Sequence, residues 1–188
     1  MKILAIECSS GRGSIAVTEC DRTVFSLDFE NPRGRGVKFF AALENAVSRC
    51  GDFAQILVGT GPGSYNSLRA SIATAWGLAK ARRVPLKGIP SIFGYDAPEY
   101  FVIGDARAGQ WFLAHVRGGF LVTPIDLLPP EDATARLANG IPVFSTSPML
   151  DSACYEAPHA RFLARHPNQF GPADPIYLKP PHITKSAA

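Results

Sequence analysis

Three groups of residues in this chain have the types and spacing to do chemistry. Glu7, Ser9 and Ser10 close an apolar run near the start; Gly61, Gly63 and Ser64 lie in a glycine-rich turn; Asp105 ends a later apolar run. Carboxylates at strand ends can organise Mg²⁺ through water, with hydroxyls beside them as donors. They can equally be hydrogen-bonded groups that close a strand. The segment Gly59-Thr60-Gly61-Pro62-Gly63-Ser64 leads from an apolar strand through glycines into a helix N-terminus. Unpaired N–H groups point outward at such a place and suit an anion. No Gly-Lys-Ser/Thr follows, so it is not a Walker A loop, and its spacing is not that of a dinucleotide-binding fingerprint. The competing account is a tight strand-to-helix turn whose glycines permit positive φ.

Other chemistries find little support. His115, His159, His166 and His182 are scattered and form no H-x-x-x-H or H-E-x-x-H pair, so no metal site is expected. Ser64 lacks the G-x-S-x-G setting of an acyl-transfer nucleophile. Cys8, Cys20, Cys50 and Cys154 form no C-x-x-C pair and are expected as small buried free thiols in a reducing compartment. Arg33-Gly34-Arg35-Gly36, extended by Lys38 and Arg49, could touch RNA, but two loop arginines are more often simply solvated.

The elements that must position these groups follow from periodicity. Segments 2–7, 14–18 and 23–29 read as three short strands joined by turn residues, an antiparallel meander. After Gly34-Arg35-Gly36 the pattern turns helical over Val37–Cys50. Phe40, Leu43 and Val47 form one stripe and Phe39, Ala42 and Ala46 a second, more apolar surface than one sheet face needs. Gln55–Gly59 is a strand and 65–83 a long helix capped by Ser64, with Lys80, Arg82 and Arg83 at its negative end. Leu86–Ile89 is the next strand. The proline- and glycine-rich stretch 90–98 marks a lobe boundary. Strands follow at 100–103, 110–116, 120–122 and 142–145, with Arg117-Gly118-Gly119 as a hairpin turn and helices at 130–139 and 159–165. The tail from Pro180-Pro181 is expected to be loose.

The chain has 188 residues, 46% hydrophobic and 19% charged, an ordinary globular composition. Its net charge of +3 is too mild for a dedicated nucleic-acid binder, so RNA would be met only indirectly, through a partner. No export signal or membrane span is evident, which makes a cytoplasmic protein the expectation.

Several motifs in register resemble one family. Ile3-Leu4-Ala5-Ile6-Glu7-Cys8-Ser9-Ser10 is similar to an I-L-A-I-D-T-S opening. Gly61-Pro62-Gly63-Ser64-Tyr65, then Leu68-Arg69 and Ala73-Thr74-Ala75-Trp76-Gly77-Leu78-Ala79, resembles G-P-G-S-F-T-G-L-R…A-x-G-L-A. Pro85-Leu86-Lys87-Gly88-Ile89-Pro90-Ser91, Asp105-Ala106-Arg107 with Gly109-Gln110-Trp111, and Pro175-Ile176-Tyr177-Leu178-Lys179 continue the match to residue 179. The family is TsaB (YeaZ), of tRNA threonylcarbamoyladenosine synthesis. The resemblance implies an α/β protein of the actin-like ATPase/sugar-kinase superfold. It would have two ribonuclease-H-like lobes, at 1–95 and 96–188, the second shortened.

The resemblance also implies a non-catalytic partner of TsaD, which attaches threonylcarbamoyl to adenosine of tRNA, with TsaE as a further ATPase partner. No cofactor is expected. Glu7, Ser9, Ser10, Gly61, Gly63, Ser64 and Asp105 would then be a vestigial nucleotide or phosphate site. Phe40, Leu43, Val47, Ile72 and Trp76 would supply the partner interface, some of them as core. Departures include Glu7 for the opening Asp, Asn66 and Ser67 for Thr and Gly, and Arg35 where a His is usual. Two alternatives stand: an ATP-dependent actin-like phosphotransferase, although no glycine pair opens an adenosine-clamping helix, and a homodimer paired through the same helices.

Overall fold

The computed structural model describes residues 1–30 and 36–179. Most of the Arg33-Gly34-Arg35-Gly36 tract and the tail from Pro180-Pro181 lie outside them.

The first sheet joins five strands in the order β3-β2-β1-β4-β5: β1 (Lys2–Glu7), β2 (Arg12–Glu19), β3 (Arg22–Glu30), β4 (Gln55–Gly59) and β5 (Leu86–Ile89). The first three form the antiparallel meander, and β1, β4 and β5 run parallel. Helix α1 (Val37–Cys50) crosses from β3 to β4, and α2 (Tyr65–Arg82) from β4 to β5. Strand alternation assigns the two faces different work. Leu4, Ile6, Ile15, Val17, Ile56 and Val58 meet α1 and α2 in one core. The intervening Ala5 and Ala16, register partners, join Leu57 on the opposite face. Those small side chains let other elements approach the sheet closely.

The second sheet comprises β6 (Glu99–Asp105), β7 (Trp111–Arg117), β8 (Phe120–Leu121), β9 (Asp126–Leu128), β10 (Val143–Ser145) and β11 (Cys154–Tyr155). Read from β8 its order is β8-β7-β6-β10-β11, with β6, β10 and β11 parallel and β7 antiparallel to β6 and β8. This is the first sheet's 3-2-1-4-5 order again, although no repeat is visible in the residues. Gly118 and Gly119, at φ 58° and 79°, make the β7–β8 hairpin turn as expected. Helix α3 (Pro130–Ala135) is shorter than the 130–139 expected, while β9 and β11 were not anticipated.

The chain then returns to the first sheet. Helix α4 (Ala160–Leu163) packs across β1, β2 and β4 on the alanine face. There Ala160 and Leu163 share a core with Ala5, Leu57, Tyr100, Val102 and Phe112, which welds the two sheets together. The Ala160 N–H donates to Ser14 Oγ at 2.7 Å, Gly171 pairs with Gly88, and the Ile176 N–H donates to the Thr60 carbonyl at 2.8 Å.

On α1 the inward stripe is Phe39, Ala42, Leu43 and Ala46. Phe40 faces outward although the heptad-like spacing groups it with Leu43. Of the cysteines only Cys8 is buried; Cys20 and Cys154 are exposed and Cys50 is intermediate, which corrects the expectation that all four are core. None of the four is in a disulfide. No helix among the described residues is long and apolar enough to cross a membrane.

Ser14 is buried and its hydroxyl is the acceptor for the first amide of α4. Ser14→Ala leaves that amide unpaired in a dry interface and should lower stability by about 1–2 kcal/mol in urea unfolding. An unchanged midpoint would show that α4 is held by packing alone.

Candidate functional site

Glu7 sits at the C-terminal end of β1 and is fully buried. Its Oε1 accepts the Ser9 N–H at 2.5 Å and its Oε2 the Ser91 hydroxyl at 2.7 Å. The Ser9 hydroxyl and the Cys8 amide add to the cradle. Ser91 Oγ in turn accepts the Gly61 N–H at 2.9 Å, and the Ser91 N–H donates to the Gly61 carbonyl at 2.7 Å. One carboxylate thus joins the ends of β1, β4 and β5. Burial raises its pKa above the ordinary carboxylate value, partly offset by these hydrogen bonds, Ser9 first and then Ser91. Gly59 is required beneath it, because a Cβ there would overlap the Glu7 carboxylate.

Around this junction the structure gathers Ser9, Gly61, Gly63 and Ser64. Gly61 has φ +95°, a conformation that favours glycine. Gly63 does not; its constraint is space, since a Cβ would run into the Ser9 carbonyl. That carbonyl accepts the Ser64 N–H at 2.7 Å, and the Thr60 N–H donates to the Ile89 carbonyl at 2.8 Å. The amides of Thr60, Gly61 and Ser64 are therefore bonded within the fold, and Pro62 has none to offer. A phosphate cradle needs such N–H groups pointing outward. Ser64 occupies the N-cap of α2 with extended dihedrals, but its side chain makes no capping bond. Ser10 closes the β1–β2 turn, its hydroxyl donating to the Arg12 carbonyl at 2.6 Å.

Asp105 stands apart. It is exposed, and its Oδ1 accepts the Arg107 N–H at 2.7 Å within its own turn. Among the described residues no hydrogen bond joins it to Glu7 or to the loop 61–64. No group of three His, Cys, Asp or Glu side chains among them could hold a metal. Sequence reasoning overlooked Ser91 and Gly59. The Pro90-Ser91 step after a strand was the available signal for Ser91; its partner is 84 residues away.

The five proposed interface positions divide. Phe40 and Trp76 are 55% and 51% exposed, Val47 is intermediate, and Leu43 and Ile72, each 8% exposed, belong to the core. Leu43 and Ile72 are thus removed from the surface. Val37, exposed at 77%, joins it.

Two sheets of repeated 3-2-1-4-5 order, with helices crossing between the parallel strands of the first, define a two-lobed ribonuclease-H-like protein of the actin-like superfold. Residues 39–116 match the family model of TsaD, tRNA N6-adenosine threonylcarbamoyltransferase. YeaZ from Pseudomonas aeruginosa shares the fold with a TM-score of 0.74 at 21% identity, over 94% of this chain and 99% of that one. A second structure, an uncharacterized protein with similarity to peptidase YeaZ from Pseudomonas aeruginosa, has a TM-score of 0.73 at 21% identity, over 95% and 99%. The uncharacterized proteins Rv3421c of Mycobacterium tuberculosis and Mb3455c of Mycobacterium bovis are each 33% identical over 82 residues, 42% of this chain. The match spans 39% of the length of these curated relatives. The chain thus shares the YeaZ fold and matches the TsaD family model over residues 39–116.

Because Glu7 binds its proton more tightly in the folded state than in the unfolded chain, its contribution to stability falls as pH rises above about 4.5. Glu7→Gln removes the titrating proton at nearly the same volume and should flatten that part of the stability–pH curve, although its amide NH2 can no longer accept the Ser91 hydroxyl. Glu7→Ala strands the Ser9 and Ser91 donors and should cost about 2–4 kcal/mol. An Ala variant as stable as the parent would contradict the assignment of Glu7 as a junction. Separately, Gly63→Val should cost about 2–3 kcal/mol by overpacking against Ser9, read as a lowered thermal midpoint.

Proposed function

We propose that the chain is a non-catalytic partner of a TsaD-like enzyme in threonylcarbamoyladenosine modification of tRNA, docking through α1 and α2. The observation that carries this reading is the outward placement of Val37, Phe40 and Trp76 on two helices that cover the same face of the first sheet. Large apolar side chains exposed together are favourably covered by a partner. A homologous lobe with two similar helices would complete a four-helix contact by ridge-into-groove packing. The likeness to YeaZ and the TsaD family match supply the pathway.

The non-catalytic part rests on the Glu7 junction. The carboxylate that would organise Mg²⁺ is buried and hydrogen-bonded, and three amides of the glycine loop are already used. With a net charge of only +3, tRNA is met through the partner, in a cytoplasmic assembly that includes a TsaE-like ATPase. The same exposed residues support a homodimer as the second reading. Light scattering of the protein alone distinguishes the two.

Co-elution with a TsaD-like protein in size-exclusion chromatography with light scattering tests the proposal. Phe40→Glu and Trp76→Glu should each weaken association by about 2 kcal/mol or more while keeping native circular dichroism. Leu43→Glu should instead unfold the protein, since it buries a charge in the core. Normal binding by both surface variants would sink the docking assignment.

A further inference from the structure

On the sheet face opposite α1 and α2, a cavity of about 140 Å³ opens between the β2–β3 turn with the adjoining start of β1 and the region of α4. Ile3, Thr18, Asp21, Arg161, Ala164 and Arg165 form most of its lining. Arg161 lies in α4 and Arg165 two residues beyond its last residue, Leu163. Both guanidinium carbons lie 4.6 Å from the centroid of the Phe162 ring, and so no more than twice that distance from each other.

The two arginines are not equally engaged. Arg165 donates to Asp96 at 2.8 Å. Arg161 forms no ion pair among the described residues, and its Nε is buried without a hydrogen-bond partner. The Arg161 guanidinium charge is therefore not matched by a carboxylate, and its outer N–H groups are the ones an anion in the cavity would meet. The carboxylate of Asp21, on a turn at φ 64°, lines the cavity and forms no ion pair with either arginine. Thr18 adds a hydroxyl to the wall.

We propose that this cavity binds a small oxyanion, a phosphate group either free or on a phosphomonoester, held chiefly by Arg161 with Arg165 beside it. A guanidinium presents a planar fork of donors that matches phosphate oxygens. Asp21 limits the affinity through like-charge repulsion with the anion. The docking helices lie on the other face, so the site does not depend on the partner assignment.

The test is calorimetric titration of the full chain in chloride buffer, one arm with inorganic phosphate and one with AMP. Saturable binding of phosphate as strong as that of AMP identifies a free-phosphate site; tighter binding of AMP identifies a phosphomonoester site. In either arm Arg161→Gln should weaken binding about tenfold or more, the loss of a charge-assisted hydrogen bond. It should keep the parent's circular dichroism, because among the described residues the Arg161 side chain makes no hydrogen bond or ion pair and Gln still covers part of the Phe162 ring. Asp21→Asn should tighten binding several-fold, and it lies in an exposed turn where folding is unaffected. Failure of both anions to saturate in the millimolar range overturns the proposal. So does binding that is indifferent to both substitutions.

Discussion

The burial of one carboxylate governs this structure. Taking Glu7 out of water is unfavourable unless its oxygens are satisfied, and the fold satisfies them from two directions. Ser9 comes from its own strand end, and Ser91 from the segment after β5. Through Ser91 the carboxylate reaches Gly61, after β4. The three parallel strands end at a common level because their carboxyl ends converge on this group. The absence of side chains at Gly59 and Gly63 makes room for the convergence, one against the carboxylate and the other against the Ser9 backbone.

That junction also explains why the glycine-rich turn is closed. In open α/β architectures the carboxyl ends of parallel strands form the natural ligand crevice. Here the same ends are occupied by the protein itself. The returning C-terminal segment reinforces the closure, with Ile176 bonded to the Thr60 carbonyl and the Tyr177 ring tilted against Tyr65 at the start of α2, centroids 5.1 Å apart. Large exposed apolar side chains lie instead on the outer side of α1 and α2, where Phe40 and Trp76 project. The alanine face, by contrast, is consumed by α4 and the second sheet.

The sequence carried the first sheet well, because each of its elements is long enough to show a period and is bounded by turn residues. Val37–Cys50, Gln55–Gly59 and Leu86–Ile89 stand where the pattern placed them. The second lobe was less legible. Strands of two or three residues, such as β9 and β11, show no alternation, and α3 ends four residues before its apolar pattern does. On α1 the apolar residues form two adjacent stripes, and periodicity alone does not say which one meets the sheet; Phe39 and Leu43 turned inward while Phe40 did not. The candidate site was legible as a set of residues but not as an arrangement. Glu7, Ser9, Gly61, Gly63 and Ser64 do meet, whereas Asp105 stays in its own turn, and the residue that ties the set together, Ser91, is a long-range partner that local pattern does not reveal.

The central claim is that the amides of the glycine-rich turn belong to the fold rather than to a ligand. Amide hydrogen exchange of Thr60, Gly61 and Ser64, resolved by NMR, measures this directly. Bonded to Ile89, Ser91 and Ser9, these three N–H groups should exchange only through large opening events, with protection close to that of the β1 and β4 core amides. Addition of Mg²⁺-ATP should leave their rates unchanged. Exchange as fast as that of an exposed loop, or protection that appears only with the nucleotide, would contradict the account and return this turn to the role of an anion cradle.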